Sequence, residues 1–195
     1  MYRRGVIGVL VAVSYAVPAV QAYDDSRISS GAAEKMERVL NDVLTKRRDG
    51  KLLPKVVVFT EKELNSYLYY KAGTQLPPNL RNLDLQLEQD SVVAQADLDL
   101  SQAKSANAST IPDMFKRPLP IYLSGKLLTN KGWGYFQPES IRVGMLPVPV
   151  SVLDSIVKYV TERQTGKAHS LNDWFALPYG IKEIKIQKEK ILLSP

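Results

Sequence analysis

The sequence predicts an α+β protein: an antiparallel curved sheet of about six strands, with amphipathic helices packed on its single apolar face. Three observations carry that expectation. Apolar residues recur at helical spacing over 30–49 and again after residue 60. Between 83 and 100, Leu and Ala alternate with Asp, Gln and Glu, the pattern of strands with one dry face and one wet face. A parallel sheet buries both faces and reads as a continuous apolar run, so this sheet is antiparallel.

Residues 1–22 read as a secretory signal. Arg3 and Arg4 precede an uncharged, mostly apolar stretch from Gly5 to Val20, and Val20-Gln21-Ala22 offers small residues to a signal peptidase. The apolar stretch is shorter than the ~20 residues of a bilayer span, and an uncleaved anchor is the competing reading. Cleavage near Ala22 leaves 23–195 as a single α+β domain, exported to the periplasm or cell envelope. It removes two of the 26 basic residues, so the excess over 20 acids falls from +6 to +4.

Residues 30–49 form the first helix. Ala32, Ala33, Met36, Val39, Leu40, Val43 and Leu44 recur at helical spacing, Glu34–Arg38 and Asp42–Lys46 are favourable i,i+4 pairs, and Gly50 is a natural stop. Lys46, Arg47 and Arg48 suit the negative end of the helix dipole and read as a solvated helix end. A short strand at 56–59 runs into a capping box, Thr60 to Glu63, which opens a helix over about 61–72. Leu83, Leu85 and Leu87, then Ala94, Ala96, Leu98 and Leu100, make a hairpin. The segment 101–118 is irregular and polar apart from Met114 and Phe115. Strands return at 121–128 and about 134–145 around the turn Thr129-Asn130-Lys131-Gly132. A helix near 151–164 opens at a second capping box, Ser151 with Asp154, and a last hairpin covers about 180–188 and 189–194.

The composition excludes several chemistries. No cysteine is present, which removes disulfides, thiolate sites and a lipid-anchored cysteine, and a single histidine removes any site needing two. No phosphate-binding, zinc or EF-hand spacing occurs, and basic residues are interleaved with acids, so neither a metal, a cofactor nor a nucleic-acid partner is expected. His169 sits in a polar loop sequence without an evident partner. Asp97 and Asp99 share a strand face, which the alternation makes the wet one. No catalytic residue is assigned.

Two aromatic runs stand out. Trp133, Tyr135 and Phe136 follow a hairpin turn, where they either fold inward as core or contact a membrane surface peripherally. Asp173 to Tyr179 is a dense run that reads as a plug over the sheet. A curved sheet incompletely filled by helices leaves an apolar channel. Its candidate lining is Leu83, Leu85, Leu87, Leu98, Ile184 and Ile186, with Met114 and Phe115 as candidate lid residues.

The junction Phe59-Thr60-Glu61-Lys62-Glu63-Leu64-Asn65-Ser66-Tyr67-Leu68, together with Ser124-Gly125-Lys126 and Arg142 to Pro149, resembles exported bacterial envelope proteins. Some of these are similar to the tubular lipid-binding superfamily, in which a curved antiparallel sheet wraps a long helix and holds acyl chains. The resemblance implies the fold alone; the one-sided sheet, the export signal and the lack of catalytic groups lead to the expectation of a non-catalytic envelope protein holding a lipid or other apolar ligand between sheet and helices. A structural or assembly factor with a filled core, binding an envelope protein partner, is the alternative.

Overall fold

The computed structural model describes residues 27–73, 80–99, 118–152, 154–155, 158, 162 and 167–195. The signal-like segment 1–22 and the irregular stretch with Met114 and Phe115 lie outside the described residues.

Helix α1 spans Ser30–Arg48. The Ser29 side chain accepts from the Ala32 amide at its start, and Lys46, Arg47 and Arg48 occupy its last turn. Gly50 follows with φ +65°, which only a residue free of a Cβ penalty adopts readily, and Lys51 N–H closes back onto Lys46 C=O at 2.8 Å. Of the predicted stripe, Ala33, Met36, Leu40 and Val43 are buried, Ala32 and Val39 are half-buried at its margins, and Leu44 is exposed.

Strand β1 (Val57–Thr60) leads into helix α2 (Glu61–Tyr67) through the expected capping box: Thr60 Oγ1 accepts from Glu63 N, and Glu63 Oε2 accepts from Thr60 N. The helix does not stay regular to residue 72. It widens into a π-helical turn over Leu68–Ala72, with Leu68 and Ala72 buried and Tyr69 and Tyr70 left outside.

The larger sheet is antiparallel in the order β2 (Leu80–Glu88), β3 (Ser91–Leu98), β4 (Leu119–Asn130), β5 (Trp133–Val143), β6 (Leu146–Pro147). A short β7 (Phe175–Ala176) pairs with β5. Its dry face carries Leu83, Leu85, Leu87, Ala94, Ala96, Ile121, Leu123, Phe136 and Ile141. The last hairpin, β8 (Glu183–Gln187) and β9 (Lys190–Ser194), does not extend this sheet. It joins β1 in a separate three-stranded antiparallel sheet, β1-β9-β8, with Phe59 opposite Ile191 and Val57 opposite Leu193.

The small sheet lies against the dry face of the large one. Thr129 Oγ1 both donates to Ile184 C=O (3.2 Å) and accepts from Ile184 N (3.1 Å), while Glu189 N donates to Leu87 C=O at 2.9 Å. Ile184, Ile186, Ile191 and Leu193 thus join the core cluster that α1, α2 and the large sheet build. The sequence reading placed helices alone on the apolar face; part of that cover is a second sheet.

Two further corrections concern β2, β3 and the helical stretch beginning at Val150. A bulge at Arg81–Asp84, with Asn82 at φ +54°, shifts the strand by one position, so that both Leu80 and Leu83 face inward. Across that bulge Asp97 is 5 % exposed and not on a wet face: its Oδ2 accepts from Asn82 Nδ2 at 2.6 Å. The Asp154 carboxylate, read as a capping partner of Ser151, instead accepts from Ser170 Oγ and Leu171 N and pairs with Lys158.

Candidate functional site

An apolar cavity of about 120 Å³ lies between the two sheets and the two helices. Met36 and Leu40 of α1 and Leu64 and Tyr67 of α2 form one wall. Leu85, Leu87, Val92, Leu127 and Phe136 of the large sheet form the second. Ile184, Ile186, Ile191 and Leu193 of the small sheet form the third, and Pro178, Tyr179 and Ile181 close one end. The wall is almost wholly carbon, and among the described residues that line it there is no carboxylate, amine or imidazole.

The wall is positioned by backbone hydrogen bonding as well as by packing. Strand β2 is an edge strand, and its outward backbone groups would be unpaired beside a buried helix. Asn65 supplies the missing partner: its Nδ2 donates to Leu85 C=O at 2.7 Å and its Oδ1 accepts from Leu85 N at 2.8 Å. One turn earlier on the same helix face, Glu61 Oε2 accepts from Leu87 N at 2.6 Å. The helix therefore reads the strand edge at 85 and 87, the two positions whose side chains line the cavity.

Phe136 turns inward because Gly125, on the neighbouring strand, leaves room for its ring; a Cβ at Gly125 would meet the Phe136 Cζ at 2.6 Å. Phe136 is 1 % exposed, so its assignment as a membrane-contact residue is overturned.

The closing turn, Pro178–Gly180, has an unusual backbone. Tyr179 and Gly180 both have positive φ, +55° and +68°. Two side-chain bonds are among the contacts that hold it. The hydroxyls of Tyr179 and Tyr67 bond at 3.1 Å, and Arg47 Nη2 donates to Gly180 C=O at 2.7 Å. The guanidinium lies so close over Gly180 that a side chain there would collide with it. One member of the basic run at 46–48 is thus a strap on the cavity's end, a role that its sequence position conceals.

Of the six candidate lining residues, Leu85, Leu87, Ile184 and Ile186 border the cavity. Leu83 and Leu98 belong to the surrounding core, Leu83 buried and Leu98 partly so. Met36 and Leu40 stand on the apolar stripe predicted for α1, whose spacing marks a residue as core and not as lining. The polar candidates do not converge. His169 is exposed, with Nδ1 at 3.8 Å from Asp173 Oδ2, and Asp99 pairs with Arg81 at 3.5 Å, while Asp97 is held by Asn82. Among the described residues, no group of three or more His, Asp or Glu side chains is placed to hold a metal, and no helix is long and apolar enough to cross a membrane.

No protein-family model, curated protein or solved structure matches the chain.

Proposed function

We propose that the protein binds the hydrocarbon part of a lipid, or another small apolar ligand, in the cavity between its two sheets. In this reading it is a non-catalytic, exported protein of the bacterial envelope. The observation that carries it is the almost wholly carbon lining of a cavity set between the two sheets and the two helices. An apolar cavity of ~150 Å³ stays dry and takes up benzene-sized guests, so a space of this size stabilises a bound hydrocarbon without needing polar anchors. A longer chain enters by displacing the Pro178–Gly180 turn, which the side chains of Arg47 and Tyr67 help to retain.

The size of the void also favours a second reading. Ligand sites commonly enclose ~300–1,000 Å³, and this one is smaller. A structural or assembly factor with an imperfectly filled core, recognising an envelope protein partner, accounts for that.

Native mass spectrometry of the protein purified from a bacterial envelope, before and after solvent extraction, separates the two. The carrier reading expects an extractable adduct that Ile184→Phe abolishes while the melting temperature holds or rises. An adduct-free mass, with a melt unmoved by fatty acids or alkanes, rejects it.

A further inference from the structure

The β4–β5 hairpin ends in an apolar patch on the face of the large sheet turned away from the cavity. Leu128 lies directly opposite Tyr135 and Asn130 opposite Trp133, so period-two alternation sends these four outward while Leu127 and Phe136 go in. The Trp174 ring stands 5.6 Å from that of Tyr135, tilted by 34°. Leu128, Trp133 and Trp174 are 44 %, 52 % and 51 % exposed, an expensive arrangement for two indoles in water.

The tip that carries them is braced. Lys131 and Gly132 take φ +46° and +89°, the paired positive values of a tight hairpin turn. Gly132 N donates to Lys182 C=O at 2.9 Å, and Gly132 C=O accepts from Leu177 N at 2.8 Å. The aromatic side chains are therefore presented on a fixed backbone.

The charges around the patch are unequal. Two of its acids are ion-paired, Glu139 with Lys126 and Glu183 with Lys185, each at 3.4 Å, while Asp173 accepts an amide hydrogen bond from Ser170 N at 2.8 Å. Lys131 and Lys182, beside the tip, have no ion-pair partner among the described residues.

From this combination we infer that the hairpin tip docks on the surface of an anionic lipid bilayer. Trp133, Tyr135 and Trp174 enter the headgroup layer, where an amphipathic ring keeps its polar edge wet and buries its face. Lys131 and Lys182 meet acidic headgroups, and each cation near such a surface favours binding. The docking surface is distinct from the cavity and stands whether or not the cavity holds a ligand.

Trp133 and Trp174 are the only tryptophans of the chain, so intrinsic fluorescence reports on this patch alone. The test uses the protein as purified from a bacterial envelope with two vesicle preparations, phosphatidylcholine alone and phosphatidylcholine with a quarter phosphatidylglycerol. With the anionic vesicles, emission shifts to the blue, the protein floats with the lipid, and added salt reverses both. Lys131→Gln with Lys182→Gln weakens that binding roughly thirtyfold. Trp133→Ser with Trp174→Ser abolishes flotation without moving the melt. Unshifted emission and no flotation with either preparation overturn the inference in favour of a protein partner. Equal binding to both preparations overturns the selection of acidic lipid. Ile184→Phe keeps vesicle binding, so failure of the cavity reading and failure of the docking reading are separable.

Discussion

Asn65 and Leu85 are joined twice, side-chain amide to main-chain amide, with both contacts under 3 Å. Asn65 is 1 % exposed and completes the free edge of β2 as another strand would. Its removal leaves a buried N–H and a buried C=O without partners. Asn65→Ala is expected to cost about 2–6 kcal/mol, since each such group loses ~1–3 kcal/mol. Asn65→Asp is no rescue, because it sets a carboxylate oxygen against the Leu85 carbonyl. Urea unfolding of both variants checks this; a loss below ~1 kcal/mol for the alanine would mean that water replaces the amide.

The start of α2 makes an acid-dependent contribution. Burial alone would raise the Glu63 carboxyl, but hydrogen bonds from Lys35 and from Thr60, together with the Lys35 charge, outweigh it and hold the group below its ordinary value of 4.5. A lowered acid stabilises the fold above its unfolded value and loses that contribution as pH falls through the folded one. Stability should therefore drop below about pH 4.5, and Glu63→Gln should lose stability at neutral pH while flattening that drop. Asp84 works with the opposite sign: burial, against the pull of Arg27, raises its carboxyl, so acid relieves a cost there. Thr60→Ala should cost about 1 kcal/mol through the cap itself. Melts across an acid series would reveal a flat limb in the parent protein if the Lys35 contact does not persist in solution.

The strap at the cavity's end should govern exchange more than stability. Arg47→Met removes the bond to Gly180 and Tyr67→Phe the bond to Tyr179, each worth about 1 kcal/mol or less in a partly exposed setting. Both should speed release of a bound hydrocarbon, measured by displacement of a fluorescent fatty acid. Gly180→Ala should act more strongly, since it strains a positive φ and collides with the guanidinium. Unchanged release rates in all three would place the entrance elsewhere.

Leu85 is both lining and core, and graded substitutions separate those roles. Leu85→Asp buries a carboxylate in a wall without polar partners and should unfold the protein, by several kcal/mol. Leu85→Ala should cost about 2–5 kcal/mol and enlarge the void, so a folded variant should take a bulkier hydrocarbon. Equal affinity for small and bulky guests in that variant would mean that the wall collapses onto the new space.

The α+β class, both main helices, the Thr60–Glu63 cap and the register-setting turns were legible because they rest on contacts within a few residues. A cap, an i,i+4 pair or a positive-φ turn is satisfied locally, whatever the rest of the chain does. The partner of an edge was not legible. Ile184 and Ile186 alternate in the same way whether their hairpin extends the large sheet or joins β1, and only the packing of the two sheets decides between them. Asp97 followed the wet positions of its strand until the bulge at Asn82 changed what lay beside it. Phe136 went inward because Gly125 makes space across the ladder, and Arg47 became a strap because residue 180 is brought to it from far along the chain. By itself the sequence determined which residues dislike water and where the backbone turns. Tertiary structure alone decided which of those residues leave a void between them, because a cavity is what remains after distant segments have packed as closely as their shapes allow.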